Sequence, residues 1–301
     1  MDDKRWSTLV EENAAQFGEL VAGIDPHLPD IPSAFEHGDD GSWISRHVDF
    51  VLDALAGRVG FVKFQSAYFE ACGLAGLTAL SAGIRRAKAA GMGVILDAKR
   101  GDIGPSAAAY ARAYLTPRTA GGSGDFEADC LTVNPLLGPD SLEPFVDCVR
   151  RFGKGLFVLC RTSNPSAGWL QDKMAGNRSI ADHLADLISG LGRDTPVASG
   201  LSSIGAVVGA TATQEAWRLR RLLPNAVILA PGLGAQGGDA AIVNVLRGGL
   251  VGDVLVPVSR GLTRVEDRSL ALDAYRQLLL DRVAGFQAAV ARENAPVQQA
   301  G

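Results

Sequence analysis

No apolar run in these 301 residues approaches the ~20 needed for a helix to cross a bilayer. The opening stretch "MDDKRWSTLVEEN" is charged and lacks the apolar centre of a signal peptide. The four cysteines, Cys72, Cys130, Cys148 and Cys160, include no C-x-x-C pair, and two lie in apolar strand-like runs. They read as small core residues in a reducing compartment, not as a disulfide framework. The four histidines, His27, His37, His47 and His183, show no spacing of the H-E-x-x-H kind, so no metal site is expected. There is no basic stripe, and the formal net charge is −4, which argues against nucleic acid as a partner. An acidic chain can still carry a local cationic pocket for a phosphate. Low-complexity blocks are missing too. With 47% hydrophobic and 21% charged residues, the chain has the means to build a large core. These absences together predict a cytoplasmic globular protein.

What the chain does have is a recurrent short apolar run. Eight of them follow one another: "LVAGIDP" (20–26), "GFVKFQ" (60–65), "GVILDAK" (93–99), "CLTVNP" (130–135), "GLFVLCR" (155–161), "GAVVGAT" (205–211), "NAVILAPG" (225–232) and "GDVLVPVSR" (252–260). Most are continuous and not alternating, as expected of parallel strands covered on both faces. Helical patterns fill the gaps, among them "WISRHVDFVLDALAGR" with Ser42 as its cap and "PDSLEPFVDCVRRFG" stopping at Gly153. Strands alternating with helices predict a single-domain (β/α)8 TIM barrel over 1–301, with a short N-terminal helical segment and a frayed C-terminal tail. A doubly wound open sheet is the other arrangement such a pattern allows. The Gly-rich "TPRTAGGSGDFEA" (116–128) reads as a surface loop without an assigned role. "SNPSAGWLQDKMAGNRS" (163–179) is long enough for an active-site lid.

Barrels of this class carry function at the C-terminal ends of their strands. Here those ends are polar: Asp25 after the first, Lys63 and Gln65 on the second, Asn134 after the fourth, Thr162 and Ser163 after the fifth, Gln236 after the seventh, Ser259 and Arg260 at the eighth. The third is the densest. "LDAKRGDIG" (96–104) puts Asp97, Lys99 and Asp102 within six residues. Two readings are open, a strand-end ion pair and a catalytic cluster. Asp97 and Lys99 are two apart, so on a regular strand they share a face. Lys63 on the neighbouring strand would join them. An opposite charge at about 4 Å favours an ammonium by up to about 4 kcal/mol at an effective dielectric of about 20. Lys99 is therefore expected to stay cationic and to serve as proton donor or charge stabiliser, which argues against a Schiff-base aldolase. "GLGAQG" (232–237) precedes a helix in the seventh of eight units, where barrels often bind phosphate, and Arg260 could clamp the same anion.

"DAKRGDIG", together with "GIDP", "VKFQ", "TSNPSA", "PGLGAQGGD" and "VSRGL", resembles the orotidine 5'-monophosphate decarboxylase family, in its longer bacterial branch, across roughly residues 20–285. The resemblance implies conversion of orotidine monophosphate to UMP and CO2 in pyrimidine biosynthesis without metal or organic cofactor. By the same resemblance Lys99 protonates the pyrimidine carbon, Asp97 sits by the leaving carboxylate, and Lys63 completes a Lys-Asp-Lys-Asp array. Asp25 then binds the ribose, Ser163 reads the pyrimidine edge, and Gln236 and Arg260 hold the phosphate. Asp102 enters the site of a partner subunit, making the protein a homodimer. Ser106 stands where the family commonly has Thr and keeps the hydroxyl. Two rivals share the motif core: a metal-dependent sugar-phosphate decarboxylase or aldolase, and an inactive phosphate-binding barrel.

Overall fold

The structure is a computed structural model that describes residues 4–36, 41–195, 200–210, 213–233 and 240–291. Eight strands close into a barrel: β1 (Leu20–Ile24), β2 (Phe61–Gln65), β3 (Gly93–Arg100), β4 (Cys130–Val133), β5 (Gly155–Arg161), β6 (Ser202–Val208), β7 (Ala226–Leu229) and β8 (Val254–Val258). Each pairs in parallel with its sequence neighbours, and β8 closes on β1. The closed barrel, not the open sheet, is thus the architecture. Helices return the chain between strands: α2 (Trp43–Leu55), α3 (Ser66–Glu70) and α4 (Gly73–Ala89), then α5 (Gly104–Leu115), α6 (Pro139–Phe152) and α7 (Ile180–Arg193). α8 (Thr213–Leu222), α9 (Ala240–Leu246), α10 (Arg260–Thr263) and α11 (Leu272–Val290) complete the ring. Among the described residues no helix is long and apolar enough to cross a membrane.

Several local details match, depart from or refine the sequence pattern. Ser42 does not cap α2: it is already helical in φ and ψ, and its Oγ accepts from Arg46 instead. α6 ends as expected, with Gly153 in the left-handed conformation at its C-terminus. β6 begins three residues before its apolar run because Ser202 and Ser203 are buried with their hydroxyls occupied. Ser202 Oγ accepts from Ile204 N at 3.0 Å and Ser203 Oγ from Ser7 N at 3.3 Å. The 163–179 connection holds a 3-10 turn (Pro165–Trp169) and a two-residue antiparallel ribbon, Met174–Ala175 with Arg178–Ser179. Ser179 and Asp182 then form a reciprocal capping box that starts α7.

Two cores result from the strand alternation. One face of each strand packs on the helices. The other face fills the barrel, with Val21, Phe61, Ile95, Cys130, Phe157, Val227 and Leu255 in one cluster. That inner cluster also contains Trp6, Val10 and Ala14 of the first helix, α1 (Trp6–Phe17). The Trp6 ring meets Phe61 and Phe157 edge-on at centroid distances of 6.2 and 6.1 Å. Gly155 makes room for it, since a Cβ there would lie 2.4 Å from the indole. α1 therefore plugs the end of the barrel where the strands begin and leaves the opposite end to form a site. Trp6→Ala should cost about 3–5 kcal/mol of stability, the usual range for emptying a buried indole site. A thermal melt of the variant should fall by about 10 °C, whereas a melt within about 2 °C of the parent would show that α1 does not plug the barrel.

Candidate active site

Inside a barrel, inward side chains recur every second residue. Following that step up each strand, apolar residues give way to polar ones toward the C-terminal end. On β1 the sequence is Val21, Gly23, Asp25; on β2, Phe61, Lys63, Gln65; on β3, Ile95, Asp97; on β4, Cys130, Thr132. The pairing places Gly23 beside Lys63 and Gln65 beside Asp97. A cavity of about 490 Å³ opens above them, and Asp25, Lys63, Asp97, Lys99, Ser163 and Arg260 all line it. Gly23 is needed where β1 meets the end of β8, because a Cβ there would sit 1.9 Å from Ser259 Oγ.

Asp97 is the electrostatic centre. Lys63 Nζ donates to its Oδ2 at 2.9 Å and Lys99 Nζ to its Oδ1 at 2.5 Å. Asp25 Oδ1 lies 3.9 Å from Lys63 Nζ on the far side. Burial alone would push the Lys63 ammonium down, but the charges of Asp97 and Asp25 outweigh it and hold its pKa above the ordinary lysine value. Burial would likewise raise the Asp97 carboxyl, yet Lys63 and Lys99 keep it below the usual carboxylate range. The sequence left a plain ion pair open. What is found is a carboxylate shared by two ammonium groups at the mouth of a cavity, with Asp25 Oδ1 buried and lacking a hydrogen-bond partner among the described residues.

Lys99 does not reach this position by regular strand alternation. Its φ is +48°, and among the described residues it is the one non-glycine with positive φ. Such a conformation costs on the order of 1–3 kcal/mol and persists only where the surroundings enforce it. The β3–β4 register breaks between Leu96 and Arg100. Thr132 answers the break: its Oγ1 accepts from Lys99 N at 2.9 Å and donates to Asp97 Oδ1 at 2.9 Å. Arg100, the next residue, is held on the outside of β3 by Glu70 and by the rings of Tyr110 and Tyr114.

Of the expected site residues, Asp25, Lys63, Asp97, Lys99, Ser163 and Arg260 come together in the cavity. Arg260 is exposed there and makes no ion pair among the described residues. Gln236 lies outside the described residues. Asp102 and Ser106 do not line the cavity of their own chain. Asp102 Oδ1 accepts from Ile103 N at 2.8 Å, and Ser106 is exposed on α5. Asn134, polar but beyond β4, turns away to accept from Leu136 N. Sequence reasoning missed Thr132 and Gln171. Counting inward steps of two from Cys130 would have found Thr132. Gln171 carries no comparable signal; it reaches the cavity because its amide bonds Thr162 at both ends, next to a bidentate Arg161–Asp172 pair that pins the same loop.

Comparison with known proteins bears on this arrangement. The family model described as the orotidine 5'-phosphate decarboxylase / HUMPS family matches residues 20–275. The orotidine 5'-phosphate decarboxylase of Rhodopirellula baltica is 43% identical over 226 residues, 72% of this chain and 74% of its own length. That of Salinispora arenicola is 42% identical over 247 residues, 82% and 85% of the two chains. Among solved structures, a Streptomyces avermitilis protein assigned as an orotidine 5'-phosphate decarboxylase superposes with a TM-score of 0.81 at 35% identity, covering 97% of this chain and 98% of its own. The Leishmania donovani OMP decarboxylase gives 0.72 at 28% identity, covering 94% and 99%. The same barrel thus carries the same sequence pattern through most of both chains, and the chain belongs to the orotidine 5'-phosphate decarboxylase / HUMPS family.

Proposed function

We propose that the protein decarboxylates orotidine 5'-monophosphate to UMP and CO2, the last step in making the pyrimidine nucleotide. The observation that carries this reading is the Asp97 carboxylate shared by Lys63 and Lys99 inside the cavity, in a chain whose relatives are named for that reaction. The carbon–carbon bond to the substrate carboxylate breaks, its electron pair stays on the ring carbon, and CO2 departs. Lys99 Nζ supplies the proton that the carbon then takes up. A fixed ammonium beside that carbon stabilises charge that exists only on the way to the transition state. Asp97 holds that ammonium and faces the leaving group. Asp25 Oδ1, a buried acceptor without a hydrogen-bond partner among the described residues, suits a ribose hydroxyl. Arg260 and Gln236, by the chemistry of their side chains, suit the phosphate, and Ser163 suits the pyrimidine edge.

The protein acts as a cytoplasmic homodimer in this account, with Asp102 and Ser106 serving the partner's cavity. Supporting this, Ile103, next to Asp102 in the chain, and Leu136 and Leu137 are 57%, 70% and 51% exposed on the loops after β3 and β4. Apolar side chains gathered on one such sector suit a two-fold contact. The sugar-phosphate rival draws no support from the relatives named above.

Purified protein should consume orotidine monophosphate, followed by loss of ultraviolet absorbance, at the same rate with and without EDTA. No turnover by folded protein would sink the reading, and loss of rate in EDTA would favour the metal-dependent rival. Lys99→Ala should keep its melting temperature and lose at least about 1,000-fold in kcat, the scale of removing a preorganised charge or proton donor; near-normal turnover would remove Lys99 from its role. Lys99→Ala and Asp102→Ala subunits mixed in equal amounts should regain about a quarter of the parental rate, since half the dimers are mixed and each has one intact site. Exchanged mixtures that stay inactive would contradict a shared site.

A further inference from the structure

We propose that Thr132 is a positioning residue whose hydroxyl holds the Lys99 backbone and the Asp97 carboxylate in their working geometry. The proposal rests on the decarboxylase reading above. Thr132 is 1% exposed on β4 and reaches the cavity floor. β3 pairs with β4 at Leu96–Leu131 and again at Arg100–Val133. Between those pairs β3 has Asp97, Ala98 and Lys99, and β4 has Thr132 alone. The ladder therefore breaks where the catalytic pair stands, and a side-chain oxygen takes the Lys99 N–H.

The direction of both hydrogen bonds follows from chemistry. A backbone N–H can only donate, so Thr132 Oγ1 accepts from Lys99 N at 2.9 Å. The hydroxyl proton is then free for the ionised carboxylate, and it points to Asp97 Oδ1 at 2.9 Å. That same oxygen receives Lys99 Nζ at 2.5 Å. One hydroxyl thus ties the two ends of the Lys99 residue to one carboxylate: the backbone directly, the ammonium through Asp97. It also holds the positive φ that carries the lysine out of regular strand geometry.

Removing the hydroxyl leaves both lysines to charge-balance Asp97, so the effect should fall on placement and not on the charge of the site. A misplacement of about 1 Å in a catalytic group can cost on the order of 100-fold in rate. Thr132→Val keeps the branched shape and deletes the hydroxyl. Thr132→Ala deletes hydroxyl and methyl together. Thr132→Ser keeps the hydroxyl and deletes the methyl.

The three variants and the parent are compared by steady-state turnover of orotidine monophosphate and by equilibrium binding of UMP. The Val and Ala variants should lose about 10- to 100-fold in kcat while UMP affinity stays within about threefold. The Ser variant should stay within about threefold of the parent in both. If Val does not fold, the Ala and Ser pair makes the same comparison. The proposal is overturned if Val or Ala keeps near-parental kcat, if Ser falls with them, or if UMP affinity falls as far as kcat. A folded parent that does not turn over the nucleotide defeats the decarboxylase reading and this role with it. A working parent with an unaffected Val variant defeats the role of Thr132 alone.

Discussion

A buried carboxylate bonded by two ammonium groups is the interaction on which the rest of this structure turns. An isolated charge in such a place would be neutralised or would destabilise the fold. Asp97 escapes that fate because Lys63 and Lys99 approach its two oxygens separately and Thr132 adds a neutral donor. With Lys99 removed, Lys63 still pairs with Asp97 and balances its charge. What is lost is the fixed cation that the site presents to reacting carbon.

The barrel supplies that cluster with a closed back and an open front. α1 seals the end where the strands begin, with Trp6 wedged among Phe61, Phe157 and the bare backbone of Gly155. Strand parity then lifts apolar residues into the plug and polar ones to the rim. The β2–β3 register pairs Lys63 with Ile95 and Gln65 with Asp97, so Lys63 reaches Asp97 diagonally, strand to strand, without any loop having to bring them together. Loops contribute at the rim instead, where Ser163 lines the cavity and Gln171 is held by Thr162, next to the Arg161–Asp172 pair. Placing the charged groups on strands and the adaptable ones on loops matches the division expected between rigid chemistry and substrate selection.

The barrel was legible in the sequence because each strand is buried on both faces and therefore reads as an uninterrupted apolar run. All eight were visible, with β6 starting early only because two buried serines hide in it. Asp97, Lys63 and Lys99 were legible as charges at strand ends, but their geometry was not. Simple alternation predicts that Asp97 and Lys99 share a face; they meet instead through a break in the ladder and a left-handed lysine, neither of which has a composition signature. Thr132 was overlooked in favour of Asn134, since polar character was sought at the very end of the run and not at the inward position two residues earlier. Gln171 is brought in by loop packing across nine residues of chain, which no periodicity reports. Asp102 was expected to act across a subunit boundary and Ser106 to bind substrate; in the single chain neither lines the cavity.

The most direct measurement is a crystal structure with UMP bound. The account predicts the base lying in the cavity with Lys99 Nζ in van der Waals contact with the ring carbon that carried the carboxylate, Asp97 still bonded to it, and the phosphate at Arg260. A nucleotide bound elsewhere, or a Lys99 side chain turned to solvent and away from the base, would contradict it.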